Sequence, residues 1–301
     1  MCAARAEVLT EETLAKWPLP DPGADGDKET RGRILVIAGS REIPGAALLA
    51  ATAALRTGAG KLAMAAPRSI AQGLALAIPE SRVIALAESR SGGIPARASE
   101  ALAPLAGRVD ALVIGPGMLG GDSLKRFVRE VLALFRDCPV VLDALAMSIA
   151  KDGPFDQPVV LTPHPGEMAG LSGLPKEAIG HEPLPVALEA ATRWNAVVAL
   201  KGATTIVATP EAAAWRFDGG SPGLATSGSG DTLAGLVGGF AARGLSPLQA
   251  TCWGVLVHAR AGDALARRHG ALGYLARELS PEVPALIHGI SQRADDRRPS
   301  R

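Results

Sequence analysis

Ile34–Ala38 is a short apolar run that stops at Gly39-Ser40 and gives way to a stretch of helical length, Gly45–Arg56. The same order recurs along the chain: Lys61–Ala65 before Ser69–Leu76, Ala111–Ile114 before Ser123–Phe135, Val159–Leu161 before a helix from Glu167. Val140–Leu142, Ala196–Leu200 and Thr205–Ala208 are further short runs, and Leu184–Trp194 has helical spacing. Short apolar strands bounded by turns and alternating with helices specify βα units, whose stable packing is a parallel sheet covered on both faces. After Gly230 the pattern turns helical, over Asp231–Arg243 and Pro247–Arg268. The expected fold class is therefore α/β, with three α/β/α layers and a mostly parallel central sheet.

No linker interrupts this series, so one domain over residues 32–290 is expected. Residues 1–31 form a lead-in with a short helix around Glu11–Trp17, and residues 291–301 are charged enough to read as a disordered tail. Lys and Arg number 31 against 30 Asp and Glu, so the net charge of +1 gives no overall attraction to nucleic acid or to a membrane surface. The apolar stretches fall short of the ~20 residues that cross a bilayer. Met1–Lys16 lacks the apolar core of a secretory signal, which leads us to expect a cytoplasmic protein. The three cysteines, Cys2, Cys138 and Cys252, have neither disulfide nor zinc spacing. Aromatic residues are 3% of the chain and glycines number 35, which favours close approach to backbone over stacking platforms for bases.

In an open parallel sheet, ligands bind beyond the carboxyl ends of the strands, so the loops there carry the candidate chemistry. Gly228-Ser229-Gly230-Asp231 opens into the helix Asp231–Arg243. Convergent amides at a helix N-terminus form an anion hole, here assigned to Gly228, Ser229 and Gly230. Asp231 is either a plain N-cap or a catalytic carboxylate, and the two neighbouring glycines favour the second. Lys201-Gly202-Ala203-Thr204-Thr205 leaves a buried strand with an ammonium and hydroxyls suited to phosphate, the alternative being a surface lysine. Two prolines stiffen Thr162-Pro163-His164-Pro165-Gly166-Glu167, making His164 the candidate histidine, or else a rigid helix start with an exposed ring. His181, His258, His269 and His288 are assigned to packing or solvation. Asp143 is a turn cap or a metal ligand through water, with the cap favoured, and Glu167 carries the same ambiguity, with charge compensation of a helix terminus as its structural alternative. No P-loop occurs, and no G-x-G-x-x-G element follows the first core strand.

Taken in order, these loops, with Pro44-Gly45-Ala46-Ala47, Arg56 to Gly60, Gly115-Pro116-Gly117 and Val141 to Ala144, resemble the ADP-dependent NAD(P)H-hydrate dehydratases from about Gly32 to Leu286. The resemblance implies a ribokinase-like fold and repair of (6S)-NADHX and (6S)-NADPHX to NADH and NADPH, with ADP as phosphoryl donor, Mg2+ as helper and a homotetramer as assembly. It implies that Lys201, Gly202, Ala203, Thr204, Thr205 and Gly230 hold the nucleotide. Ala46, Gly117, His164 and Asp231 would face the hydrated dinucleotide, with Asp231 catalytic and no metal ligand assigned. The stand-alone form without an epimerase domain is expected. Leu145, Ile43 and Ser227 depart from the acidic, aromatic and glycine residues common in that family. The competing readings are a vitamin-precursor kinase of the same fold and a catalytically silent nucleotide-binding protein.

Overall fold

The computed structural model describes residues 5–21, 23, 27–90 and 92–296. In chain order these form β1 (Glu7–Val8), α1 (Glu11–Ala15), β2 (Arg33–Ile37), α2 (Pro44–Arg56), β3 (Lys61–Pro67), α3 (Arg68–Ala77) and β4 (Ser81–Leu86). A 3-10 segment, Ala96–Leu105, leads to β5 (Ala111–Ile114), α4 (Asp122–Leu134) and β6 (Val140–Leu142), and a second, Ala144–Asp152, leads to β7 (Val159–Leu161). Then come α5 (Pro165–Ser172), α6 (Lys176–His181), α7 (Pro183–Trp194), β8 (Val197–Leu200), β9 (Thr204–Ala208) and β10 (Ala214–Asp218). The described chain ends with α8 (Ser229–Ala242), α9 (Pro247–His269) and α10 (Ala276–Asp296).

All ten strands join one sheet in the order β1-β10-β9-β8-β7-β6-β5-β2-β3-β4. From β8 to β4 every neighbouring pair is parallel, whereas β9 runs antiparallel to both β8 and β10. The antiparallel step follows from loop length: only Lys201-Gly202-Ala203 separates β8 from β9, too few residues for the crossover a parallel pair needs. The alternation of side chains in β2 sends Ile34 and Val36 into a core with α2, α8 and α9, and Leu35 and Ile37 into a second core with α4 and α7. Three α/β/α layers result.

Three strands were not anticipated, β1, β4 and β10. β4 is an edge strand whose residues are only partly covered, and β1 is a two-residue edge against β10, so neither carries a buried apolar run. The helix α10 runs to Asp296, so residues 291–296 of the expected tail are helical, while 297–301 lie outside the described residues. Cys138 and Cys252 are buried, Cys2 lies outside the described residues, and burial pushes the Cys138 thiol up to about 11 and that of Cys252 further. Among the described residues no helix is long and apolar enough to cross a membrane.

The chain visits β2, β3 and β4 on one side, then returns to place β5 against the free edge of β2. The loops after β2 and β5 therefore diverge at a switch point, where an open sheet leaves a crevice. They are tied there by the Gly39 amide, which donates to the Pro116 carbonyl at 2.8 Å.

Candidate active site

The first turn of α8 is built on a glycine that no other residue replaces without strain. Gly228 is the N-cap with φ of +88°, and a Cβ on it would lie 2.4 Å from Leu49 Cδ1 of α2. Ser229 is thus the first helical residue and Asp231 the third, so Asp231 is not the cap, and no side chain caps this helix. The glycine density has two separate causes: Gly228 admits the packed α2, whereas Gly230 admits the Lys201 ammonium, which would stand 3.3 Å from a Cβ there. The Ser229 amide donates to the Thr226 carbonyl at 3.2 Å. The amides of Gly230 and Asp231 have no intrahelical acceptor and remain for an anion.

Lys201 extends from the end of β8 into a group of three acids. Its Nζ lies 3.5 Å from Asp143 Oδ1 and 3.8 Å from Glu167 Oε2. Asp231 completes the group: burial first, then the Asp143 charge, push its carboxyl up to about 6, against the pull of Lys201 and with a smaller push from Glu167. Asp143 stands at the N-cap position favoured for it from the sequence, before Ala144–Asp152, but makes no cap bond. Its side chain is 5% exposed and caps nothing; it accepts the Thr162 hydroxyl at 2.6 Å and faces Lys201. Its position at the carboxyl end of β6 was the available signal.

His164 is the N-cap of α5, and its Nδ1 accepts the amides of Gly166 at 3.0 Å and Glu167 at 3.1 Å. The Glu167 carboxylate accepts the His164 amide at 2.8 Å, closing a capping box. The loop is thus a rigid helix start, and it leaves the ring with Nε2 as its remaining polar atom, 3.6 Å from Glu167 Oε2, on a side chain 56% exposed.

A cavity of about 760 Å³ lies beside this group, lined by His164, Lys201, Gly202, Ala203, Thr205 and Gly230 among others. That volume is in the range of small-molecule and cofactor sites. Thr204, one position before Thr205 on β9, faces the other way: its hydroxyl donates to Asp218 at 2.8 Å, and it lines a neighbouring cavity of about 960 Å³ whose wall also includes Lys201, Gly202 and Ala203. Ala46 and Gly117 meet at the switch point, where a Cβ on Gly117 would lie 2.5 Å from that of Ala46. Asp231, Gly228, Ala46 and Gly117 are not in the wall of the 760 Å³ cavity, whereas Lys201 belongs both to that wall and to the acidic group. His258, assigned above to packing, lines the cavity with Ser229. It sits mid-helix in α9 with no loop motif around it, so nothing in its local sequence marked it.

A family model described as NAD(P)H-hydrate dehydratase matches residues 34–285. The chain is 49% identical over 287 residues to an ADP-dependent (S)-NAD(P)H-hydrate dehydratase of Xanthomonas campestris, covering 95% of this chain and 98% of that one. It also matches bifunctional NAD(P)H-hydrate repair enzymes, of which it spans about half the length. Among solved structures, an ADP/ATP-dependent NAD(P)H-hydrate dehydratase of Bacillus subtilis, co-crystallised with ATP and Mg2+, is 32% identical with a TM-score of 0.85, over 96% of this chain and 100% of that one. A ribokinase-like superfamily protein of Enterococcus faecalis shares the fold at 25% identity and a TM-score of 0.82, over 95% and 97% of the two chains. The family model, the sequence relatives and the backbone agree, and the chain belongs to the NAD(P)H-hydrate dehydratase family.

Proposed function

We propose that the protein removes water from (6S)-NADHX and (6S)-NADPHX, with ADP as phosphoryl donor and AMP and phosphate as the other products. The observation that carries this reading is the Asp231 carboxylate in the first turn of α8, grouped with the Lys201 ammonium beside the open amides of that helix. The names of the relatives support the substrate and the donor.

Hydroxide leaves a ring carbon poorly, and phosphate leaves well. Asp231 accepts the proton of the ring hydroxyl as that oxygen attacks the β-phosphorus of ADP, and the bond to AMP breaks. Lys201 and the Gly230 and Asp231 amides balance the charge on the phosphoryl oxygens. The lone pair of the ring nitrogen then expels phosphate, and loss of a proton from the neighbouring carbon closes the double bond of the reduced nicotinamide. His164 Nε2 and the Ala46–Gly117 contact would bound the dinucleotide side. Lys201, Gly202, Ala203, Thr205 and Gly230 would hold the nucleotide, with Thr204 supporting the hairpin through Asp218.

Three carboxylates around one ammonium leave the group net negative, which suits a divalent cation. No set of three or more metal-binding side chains occurs among the described residues, but Mg2+ commonly takes one or two carboxylates plus substrate phosphates. Asp143 and Glu167 are the residues that would hold it, where it would neutralise phosphate charge.

The test is to incubate the purified protein with hydrated NADH and either ADP or ATP, following recovery of nicotinamide absorbance. Recovery with ADP supports the reading. A stable phosphate ester without recovery would make the protein a kinase, and nucleotide binding without either product would make it catalytically silent.

A further inference from the structure

The side chains of the buried pair Ser229 and His258 have no part in the chemistry described so far, although both residues line the nucleotide cavity. His258 Nε2 lies 3.0 Å from the Ser229 carbonyl oxygen and 3.0 Å from the Ser229 hydroxyl oxygen. A carbonyl oxygen only accepts, so the contact requires the proton on Nε2, and the imidazole is the donor. The tautomer follows from this network of bonds. With Nε2–H directed at both oxygens of Ser229, the imidazole nitrogen has no lone pair to receive the serine proton. That proton is left to point away from His258, on a residue whose amide is already held by Thr226.

We infer that His258 is a positioning residue that orients the Ser229 hydroxyl as a donor to the β-phosphate of the bound nucleoside diphosphate. Ser229 thus serves the anion through its side chain, alongside the Gly230 and Asp231 amides, and His258 holds both the side chain and the first carbonyl of α8 in register. Burial keeps the ring neutral, its pKa lowered to about 4, with the Lys201 charge adding to the effect. A neutral ring holds the same donor pattern throughout the range in which Asp231 ionises. The inference rests on the reading that a nucleoside diphosphate occupies this cavity.

ADP and AMP differ by the β-phosphate, so their affinities for the full-length protein, measured by calorimetric titration, separate this role from a general packing role. Ser229→Ala is expected to weaken ADP about tenfold, the order lost with one hydrogen bond to a charged group, and AMP less than about twofold. His258→Leu is expected to give the same ADP-selective loss, and the double variant no more than about twofold beyond either single one. His258→Gln, which returns an N–H near the same point, should recover ADP affinity to within about threefold of wild type. Unchanged ADP affinity in Ser229→Ala overturns the inference, as do equal losses for ADP and AMP or losses that multiply in the double variant. If His258→Leu does not fold, Ser229→Ala and His258→Gln decide: a folded Gln variant with weakened ADP binding overturns it. A wild-type protein that binds no ADP overturns the functional reading as well, whereas ADP binding and turnover with an indifferent Ser229→Ala overturns the positioning role alone.

Discussion

The base role proposed for Asp231 carries a cost to the folded state. Its pKa rises from 3.8 to about 6 on folding, so its ionised form is less favourable in the native protein than in the unfolded chain. The cost is absent below about pH 3.8, grows between the two values and is complete above about pH 6. Asp231→Asn, neutral at every pH, is therefore expected to be more stable than wild type by on the order of 2–3 kcal/mol at neutral pH, and equal to it near pH 3.5. Calorimetric Tm values across this range check the sign. The same variant should lose at least about a hundredfold in turnover, and activity within about threefold of wild type would reject the general-base role. In the wild-type protein kcat should fall about tenfold per pH unit below about 6. Lys201→Met removes the one charge that lowers this pKa, so the acid limb of the profile should move to higher pH while ADP binding weakens.

Two helix starts set the geometry of the site, and they do so by different means. α5 is closed by a side-chain cap, so His164→Asn, which keeps a capping oxygen, should leave stability within about 0.5 kcal/mol of wild type, whereas His164→Ala should lose about 1 kcal/mol. A fall in turnover in the Asn variant, measured against unchanged Tm, would mark the work of Nε2 apart from the cap. α8 has no side-chain cap and leaves its amides open, and its first turn is held from outside by Leu49, Thr226 and His258. Gly228→Ala meets both a positive φ and the Leu49 side chain, and is expected to lose about 1–3 kcal/mol in denaturant unfolding.

The whole sheet gathers the site at one end, where β2, β5, β6, β7 and β8 all terminate in loops. Because the site spans several separately folded loops, a ligand bridging them should stabilise the molecule as a unit. ADP at a hundredfold excess over its Kd should add about 2.7 kcal/mol, read as a rise in Tm of several degrees. The layer architecture, the buried strands from β2 to β8, and the Lys201, His164 and Asp231 loops were legible in the residues, because apolar periodicity and glycine or proline turns are local properties. The edge strands β1 and β4 were not, since a half-covered strand has no apolar run. Nor was the role of Asp143 or of His258, which lie 88 and 27 positions from Asp231 in the chain numbering and meet its helix only when α9 packs on α8 and β6 lines up beside β7. Chain order decided which segments become strands, helices and rigid turns, since each of those choices depends on neighbours a few residues away. Folding alone decided which carboxylate is pushed toward neutral pH and which hydroxyl proton is left for a phosphate, because burial and charge act through space between residues remote in sequence.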